Sequence, residues 1–341
     1  MRYALFGPTG LHVSRIALGT MTFGGAGNPL WDGIGALDAA AADRVLGTAL
    51  DAGVNLVDTA DAYADGECEE MLGKILGARR DDVIVATKVS ARVGSGPNDV
   101  GASRYHVMRS LEGSLRRLRT DHVDLYQVHG FDFLTPIDET LGALDDAVRQ
   151  GKVRYIGASN FAARQILKAL GVSAREGLAR FISHQCYYSL VGRDVEHEIL
   201  PAAREEGLAF LSFAPLAAGL LAGKFDRHGT TDDQARRAKF DWPPVDKERA
   251  YDAVDVLRKV AARRAITVAQ AALAWNLAQP GVTAAIVGAR RPEQLKESLG
   301  AADLDLTAAD LAEIGAATTP AVAYPAWIQQ QAADQRVPVT G

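Results

Sequence analysis

Short apolar runs alternate with longer amphipathic stretches from about residue 16 to about residue 299. The runs are rich in branched and aromatic residues, which favour strands, whereas the stretches between them repeat apolar residues with helical spacing. This alternation is typical of parallel strands that are joined by helices. The predicted strands are Ile16–Gly19, Leu56–Asp58, Val83–Lys88, Leu125–His129, Tyr155–Ser159, Ile182–Gln185, Ala209–Phe213 and Ala285–Val287.

Helices are predicted in the stretches between these strands. Eight strands with intervening helices favour a closed barrel, because an open, doubly wound sheet more often stops at about five or six strands. The 341 residues are enough for one such domain with loop insertions. We therefore expect an α/β fold, a single (β/α)8 TIM barrel that spans residues 1–341. The predicted helices are Ala40–Ala52, Cys68–Leu76, Arg104–Leu118, Ile137–Gln150, Ala162–Leu170, Val195–Glu206 and Arg291–Leu299.

Three segments lie outside this repeat. Residues Met1–Val13 carry a Gly-Pro-Thr-Gly turn signal between apolar runs, which predicts a β-hairpin under the floor of the barrel. Residues 217–246 follow the seventh strand and are rich in glycine and charge, which favours a functional lid. Three prolines in residues 318–341 predict a tail without regular structure that lies across the barrel surface.

Composition and charge exclude several classes of protein. The net charge is −5, which gives no general attraction to nucleic acid or to an acidic membrane. Cys68 and Cys186 are the only cysteines and have no CxxC spacing, so neither a disulfide framework nor a cysteine zinc site is predicted. Residues Met1–Gly10 lack the apolar run of a signal peptide, and no stretch of about 18 apolar residues occurs. We expect a cytoplasmic protein with no membrane partner.

Ionisable side chains follow the predicted strands at their carboxyl ends, where a barrel of this type places its reactive groups. Asp58 and Tyr63 follow the second strand, Lys88 ends the third and His129 ends the fourth. Each residue alone has an ordinary structural explanation as a helix cap, a surface amine or a packed core side chain. Together, the buried charges would cost several kcal/mol unless the groups compensated one another. The set therefore predicts a working site.

These residue types suit the transfer of a proton to an oxygen atom. The ammonium group of Lys88 would lower the pKa of the Tyr63 phenol, and Asp58 would hold that ammonium in place. His129 would donate a hydrogen bond to a substrate carbonyl. None of them supplies a hydride, so carbonyl reduction would need a nicotinamide cofactor. Amide side chains at Asn160 and Gln185 and the ring of Phe213 would seat its carboxamide and its flat ring.

Seven short motifs accompany the predicted strands. They are Leu18-Gly19-Thr20-Met21, Asp58-Thr59-Ala60-Asp61-Ala62-Tyr63, Thr87-Lys88, Val128-His129, Gly157-Ala158-Ser159-Asn160, Phe213-Ala214-Pro215-Leu216 through Gly223-Lys224, and Val287-Gly288-Ala289-Arg290-Arg291-Pro292-Glu293-Gln294-Leu295. In this order, from about residue 3 to about residue 305, the sequence resembles the aldo-keto reductase superfamily. Within this superfamily, the sequence most resembles the long-chain bacterial members that are similar to potassium-channel beta subunits.

The resemblance implies an NADP-dependent oxidoreductase with Tyr63 as general acid and Asp58, Lys88 and His129 in support. Arg290 would bind the 2′-phosphate, which favours NADP over NAD. Arg236, within the long loop, is a second candidate for a phosphate contact. In two places the chain departs from the family: Ser298 replaces an amide residue and Phe213 a more common tyrosine. The other implied cofactor contacts are Gly19, Thr20, Met21, Asp58, Ser159, Asn160, Gln185, Ala214, Pro215, Leu216, Ala217, Gly219, Lys224, Gly288, Gln294 and Glu297.

Two other functions remain open at this point. A metal-dependent hydrolase on the same fold would use His129 and His184, although the sequence offers no further ligands to complete a metal site. A cofactor-sensing subunit related to potassium-channel beta subunits would share the motifs, but His129 favours an enzyme. The expected partner is a small carbonyl or alcohol, with no nucleic acid, and the chain is a candidate homo-oligomer. Trp31, Trp242 and Trp327 either line the substrate pocket or pack elsewhere.

Overall fold

Successive side chains in each long strand point to opposite sides, and both sides are buried, as expected for a sheet that is covered on both faces. The structure is a computed structural model that describes residues 1–230 and 236–334. Its strands are β1 (Tyr3–Leu5), β2 (His12–Ser14), β3 (Ile16–Gly19), β4 (Leu56–Asp58), β5 (Ile84–Val89), β6 (Val123–Val128), β7 (Val153–Ser159), β8 (Phe181–Tyr187), β9 (Ala209–Phe213), β10 (Phe225–Asp226), β11 (Gly229–Thr230) and β12 (Val282–Val287).

Strands β3 to β9 and β12 form a closed barrel of eight parallel strands. The barrel closes where β12 pairs with both β3 and β9. This confirms the (β/α)8 prediction, and every predicted strand corresponds to one strand of the barrel.

Helices surround the barrel, and those predicted from the sequence are present, most of them with small differences at their ends, although the helix predicted at Ala162–Leu170 continues to Glu176. The stretch Val195–Glu206 is one exception, because a 3-10 turn at Asp194–Glu196 precedes a shorter helix. The helices are α1 (Pro29–Ile34), α2 (Ala39–Asp51), α3 (Glu67–Leu76), α4 (Arg104–Leu118), α5 (Ile137–Arg149), α6 (Ala163–Glu176), α7 (Ile199–Glu205), α8 (Arg236–Lys239), α9 (Lys247–Arg264), α10 (Val268–Ala278), α11 (Pro292–Leu299), α12 (Ala308–Ala316) and α13 (Ala326–Asp334).

The helix pair between β9 and β12 has no counterpart among the predictions. Most residues of α10 are buried, so its sequence carries no polar stripe, and the periodic signal of a surface helix is missing. Helix α9 follows directly on the long loop, where charge and proline obscure the start of the apolar repeat.

The barrel interior has an apolar lower layer and a polar upper layer. Leu56, Ala86 and Leu125 belong to the buried cluster of the lower layer. Two residues further along the same strands, the inward positions are occupied by Asp58, Lys88 and Gln127, which are also buried. Since side chains two apart share a face of a strand, the polar layer lies directly above the apolar one, at the carboxyl ends of the strands.

The predicted hairpin at the amino terminus is confirmed. Strands β1 and β2 pair antiparallel, with Tyr3 opposite Ser14 and Leu5 opposite His12. Phe6 and Val13 are fully buried and belong to the same cluster as the lower layer of the barrel interior. The hairpin therefore closes the amino-terminal end of the barrel.

Replacement of Gly7 by alanine is expected to loosen this floor. Gly7 has a φ of +62°, and a Cβ atom there would lie 2.3 Å from the carbonyl oxygen of Ile182. Both the left-handed backbone and the contact oppose a side chain, so we expect a loss of about 2 kcal/mol or more in the free energy of unfolding. Gly10→Ala, in the same turn, has open space around its Cβ and should change stability by less than about 0.5 kcal/mol. Urea unfolding midpoints measure both, and equal midpoints for the two variants would contradict the prediction.

The carboxyl-terminal tail differs from its prediction. Residues 318–341 were expected to lack regular structure, but α13 forms within them. Pro325 lies immediately before this helix, where the missing N–H of proline costs no hydrogen bond, so it does not prevent the helix from forming. Residues 335–341 lie outside the described part of the chain.

The long segment 217–246 contains more regular structure than a loop. A 3-10 helix at Ala217–Ala222 precedes the β10–β11 hairpin, and α8 follows. Arg227 ties the hairpin to α9 through Asp252 and Asp255. The lid prediction also covers residues 231–235, which lie outside the described residues. Among the helices that the structure does describe, none is both long and apolar enough to span a membrane.

Candidate active site

The ammonium group of Lys88, at the carboxyl end of β5, lies at the centre of the polar layer. It donates to Asp58 Oδ1 at 2.5 Å, to the carbonyl oxygen of Thr59 at 2.8 Å and to Tyr63 Oη at 3.3 Å. Lys88 is fully buried, so its three donors are all used inside the barrel. A buried charge persists only when it is paired and hydrogen-bonded in this way. The structure thus brings together three of the four predicted catalytic residues.

The second oxygen of Asp58 is held by two amide side chains. Gln127 Nε2 donates to Asp58 Oδ2 at 3.1 Å, and Gln185 Nε2 donates to it at 2.9 Å. Gln185 was expected to bind a carboxamide, and in this structure it also supports Asp58. Gln127 was not predicted. Gln127 lies two residues after Leu125 and therefore shares the inward face of β6. This spacing is the sequence signal from which Gln127 could have been predicted.

Tyr63 reaches Lys88 from a tight turn after β4. The 3-10 segment Tyr63–Gly66 contains Ala64, Asp65 and Gly66 at φ values of +49°, +55° and +96°. Left-handed backbone is costly for residues other than glycine and is concentrated at functional sites. The turn therefore depends on its surroundings, which place the phenol beside the ammonium group.

The electrostatics of the pair differ in one respect from the expectation. Burial disfavours the charged form of Lys88, but Asp58 and Tyr63 outweigh it and raise the pKa of the ammonium. Burial also raises the pKa of the Tyr63 phenol, and the opposing effect of Lys88 is smaller. The residue types predict a lowered Tyr63 pKa, and this prediction is wrong because burial dominates. Tyr63 is thus a neutral phenol, ready to donate its proton, beside a permanent cation.

His129 completes the predicted set. Its ring centroid lies 5.8 Å from that of Tyr63, in an edge-on arrangement, and its carbonyl oxygen accepts a hydrogen bond from Asn160 Nδ2 at 2.9 Å. Burial and the charge of Lys88 lower the pKa of His129 to about 3. The imidazole is therefore neutral at physiological pH and carries one N–H that can be donated.

A cavity of about 740 Å³ opens above these residues at the carboxyl ends of the strands. Tyr63 and His129 line it together with Trp31, Ile34 and Trp242. Trp327 does not line it. Lys88 lies behind Tyr63, and Ala217 is buried away from the wall. The other predicted cofactor residues that line it are Gly19, Thr20, Met21, Asp58, Ser159, Asn160, Gln185, Phe213, Ala214, Pro215, Leu216, Gly219, Lys224, Arg236, Gly288, Arg290, Gln294, Glu297 and Ser298.

Three cations line this cavity: Lys224, Arg236 and Arg290. Glu297 is the acidic residue that accompanies them, since Asp58 is neutralised by Lys88. The Nε atom of Arg236 is buried and has no acceptor within residues 1–230 and 236–334. Burial lowers the pKa of Arg236, and the charge of Arg290 adds to this effect. Two neighbouring guanidinium groups that repel one another suit a polyanionic ligand.

The segment from α8 to Pro243 covers part of the cavity. The indole of Trp242 is parallel to the ring of Phe213 within 2°, with 6.0 Å between centroids. Arg237 is buried and donates to the carbonyl oxygens of Ala217 at 3.0 Å and of Pro243 at 2.7 Å. It also pairs with Asp241 at 2.9 Å. One side chain thus anchors the covering segment to the start of the 3-10 helix that follows β9.

The two histidines of the metal hypothesis do not meet. His184 is adjacent in sequence to the inward-facing Gln185, so it points out of the barrel interior. In the part of the chain that the structure describes, no group of three or more His, Cys, Asp and Glu side chains is arranged to hold a metal ion. The geometry offers no support for a metal-dependent hydrolase.

Comparison with known proteins adds independent findings. Residues 15–318 match the model of the aldo/keto reductase family. The uncharacterized oxidoreductase YrpG of Bacillus subtilis is 40% identical over 319 residues, which cover 90% of this chain and 92% of that protein. A probable voltage-gated potassium channel subunit beta of Arabidopsis thaliana is 36% identical, covering 89% of this chain and 92% of its own. The L-glyceraldehyde 3-phosphate reductase of Escherichia coli is 32% identical, covering 92% and 91%.

The barrel, the order of the motifs and the set around Lys88 agree with these matches. Since the family model covers residues 15–318, well over half of the sequence, this chain belongs to the aldo/keto reductase family and is an oxidoreductase.

Proposed function

We propose that the protein is an NADP(H)-dependent oxidoreductase that reduces an aldehyde or ketone to the alcohol, with Tyr63 as general acid. The observation that carries the proposal is the buried ammonium of Lys88, which joins Asp58 to the Tyr63 phenol at the base of the cavity. A proton donor beside a fixed cation, open to a cavity, suits a reaction that builds negative charge on oxygen.

Each residue of the site would have a separate role in the reduction of the carbonyl group. The neutral N–H of His129 donates to the carbonyl oxygen of the substrate and fixes its orientation. Tyr63 then transfers its proton to that oxygen as the charge develops. Lys88 stabilises the phenolate that remains, and Asp58 keeps Lys88 in place through the 2.5 Å contact. Bound NADPH would supply the hydride for the carbonyl carbon.

The residues of the cavity fit this cofactor. The volume of about 740 Å³ lies within the usual range for ligand sites. Arg236 presents a buried Nε atom that lacks an acceptor among the described residues, which is an observation that an anionic group would explain. Arg290 lines the cavity directly before α11 and would bind the 2′-phosphate. Phe213 and Trp242 stack on one another and both line the cavity, where they would provide aromatic surface for the nicotinamide ring.

The proposed substrate is a small molecule, because the cavity has a volume of about 740 Å³, and Trp31, Ile34 and Trp242 give it apolar lining. Two relatives are named after an alcohol or an aldehyde, the aryl-alcohol dehydrogenase of Pestalotiopsis microspora and the L-glyceraldehyde 3-phosphate reductase of Escherichia coli. These names support the reaction type and leave the individual substrate to experiment.

The experiment is a screen of NADPH oxidation, followed at 340 nm, against aromatic, aliphatic, sugar and quinone carbonyls. We expect turnover with at least one class and loss of that turnover in Tyr63→Phe. Cofactor binding without turnover on any class would overturn the proposal in favour of a cofactor-sensing subunit. Turnover that disappears on chelation and returns with zinc would favour the metal-dependent alternative.

A further inference from the structure

A buried carboxyl group lies two residues before Tyr63 and takes no part in the mechanism above. Asp61 is 2% exposed, and its backbone N–H donates to the carbonyl oxygen of Lys88 at 3.3 Å. Neither carboxyl oxygen accepts a hydrogen bond of normal geometry from any residue that the structure describes. A carboxylate that lacks well-formed hydrogen bonds is disfavoured in such a place.

The groups that face Asp61 come from three elements. Glu69 of α3 is fully buried and accepts from Thr87 Oγ1 at 2.5 Å and from Arg117 Nε at 2.8 Å. From α4, Arg117 and Ser110 approach, and Ser110 in turn contacts His106 at 3.4 Å. Tyr126, on β6, is also near Asp61, because burial and then the charge of Asp61 raise the pKa of its phenol. Arg117 is therefore already paired with Glu69, and an ionised Asp61 would add a second carboxylate to one cation.

The protonation of Asp61 follows from this arrangement. Burial raises its pKa to about 7, the charge of Glu69 adds to the rise, and Ser110, Arg117 and the amide of Ala62 offset only part of it. The group is therefore a neutral acid below neutrality, and it is ionised in alkaline solution at a cost to the segment that contains it.

That segment is the one that positions Tyr63. The turn Tyr63–Gly66 has three consecutive residues in left-handed backbone, so neighbouring contacts hold it in place. Arg117 is one of them, because a Cβ on Gly66 would lie 3.0 Å from its Cδ atom. An ionised Asp61 would attract Arg117, which is paired with Glu69, and would repel Glu69. Both effects would weaken the contacts that hold the turn in place.

We propose that Asp61 is a positioning residue for Tyr63 that works as a neutral acid, so that loss of its proton loosens the Tyr63 turn and lowers turnover. This inference rests on the function proposed above. It does not assign Asp61 any contact with the substrate or the cofactor.

The test is the pH dependence of kcat for NADPH-dependent reduction at saturating cofactor and substrate. In the wild-type protein we expect kcat to fall about tenfold or more from pH 6 to pH 9, with a midpoint near pH 7, where Asp61 loses its proton. Tyr63 does not titrate in this window, because its pKa lies above the ordinary value of 10.0. Asp61→Asn keeps the shape of the side chain and should abolish the decline. Glu69→Gln removes the repelling charge and should move the midpoint to lower pH.

Asp65→Asn is the matched control, because Asp65 belongs to the same turn but is exposed, and asparagine also tolerates its left-handed backbone. It should keep the wild-type profile. A decline that persists unchanged in Asp61→Asn, or a flat wild-type profile between pH 6 and pH 9, would overturn the inference.

A second measurement separates this inference from the proposed function. In the unfolded chain Asp61 has its ordinary pKa of 3.8, so rising pH ionises the unfolded state first and the contribution of Asp61 to stability falls from about pH 4 to about pH 7. The Tm of Asp61→Asn should therefore exceed that of the wild type by a margin that grows over this range and is constant above it. A wild-type protein without any turnover would refute the proposed function. The Tm measurements would then test Asp61 by themselves, and a Tm difference between Asp61→Asn and the wild type that does not depend on pH would refute its role.

Discussion

Tyr63→Phe is expected to lower kcat about 100-fold or more, the usual scale of general acid catalysis. The substitution keeps the ring that contacts Trp31 and His129 edge-on and removes only the hydroxyl that lies 3.3 Å from Lys88 Nζ. Packing and cofactor affinity should therefore survive while the proton donor is lost. Single-turnover kinetics with the best substrate of the carbonyl screen would measure the effect.

The control for this prediction is Tyr105→Phe. Tyr105 lies on α4 and is 61% exposed, so loss of its hydroxyl should leave kcat unchanged. If Tyr63→Phe retained near-normal turnover on a good substrate, another group would have to supply the proton, and the role assigned to Lys88 would fail with it.

Arg290→Ala is expected to weaken NADPH binding by roughly 10- to 150-fold and to leave NADH binding nearly unchanged. A hydrogen bond to a charged group contributes about 1.5 to 3 kcal/mol, which corresponds to that range in Kd. Arg290 lines the cavity directly before α11. That helix begins with a proline and has no side-chain cap hydrogen bond, so its amino terminus also favours an anion.

Titration of cofactor fluorescence gives both dissociation constants directly. Arg291→Ala provides the comparison, because Arg291 is the exposed neighbour and should contribute less. Partial substitution by Arg291 would bring the loss in Arg290→Ala towards the lower end of the range. Equal losses for NADH and NADPH would identify Arg290 as a structural residue and remove the main support for NADP.

The sequence predicts the barrel well because two local rules agree. Alternating strands and helices specify the topology, and the carboxyl ends of strands specify where reactive groups gather. Asp58, Lys88 and His129 can be found in this way without knowledge of any distance. The alternation of side chains along a strand also places Gln127 inside the barrel. A glutamine is uncharged, however, so it does not suggest a reactive site in the way that a charged residue does.

Other features depend on contacts that no local pattern encodes. The pKa of Tyr63 is set by the balance between burial and the charge of Lys88, and burial is known only once the turn has been placed. Aspartate is usually exposed in proteins, and only the fold places Asp61 in the interior beside Glu69. Trp242 stacks on Phe213 although 28 residues separate them along the chain. The segment between them has no regular repeat from which this contact could be predicted. Such features are tertiary, so sequence spacing alone does not reveal them.

The anchor made by Arg237 has a consequence for how this family member can diversify. Its two hydrogen bonds end on main-chain carbonyl oxygens, those of Ala217 and Pro243, and every residue type supplies such an acceptor. Substitution of the Trp242 side chain, which lines the cavity, therefore leaves these two acceptors in place, whereas the ion pair of Arg237 depends on the side chain of Asp241. The covering segment is thus a variable wall on a fixed backbone, because new side chains at position 242 would change the shape of the cavity and leave the backbone course that covers it unchanged.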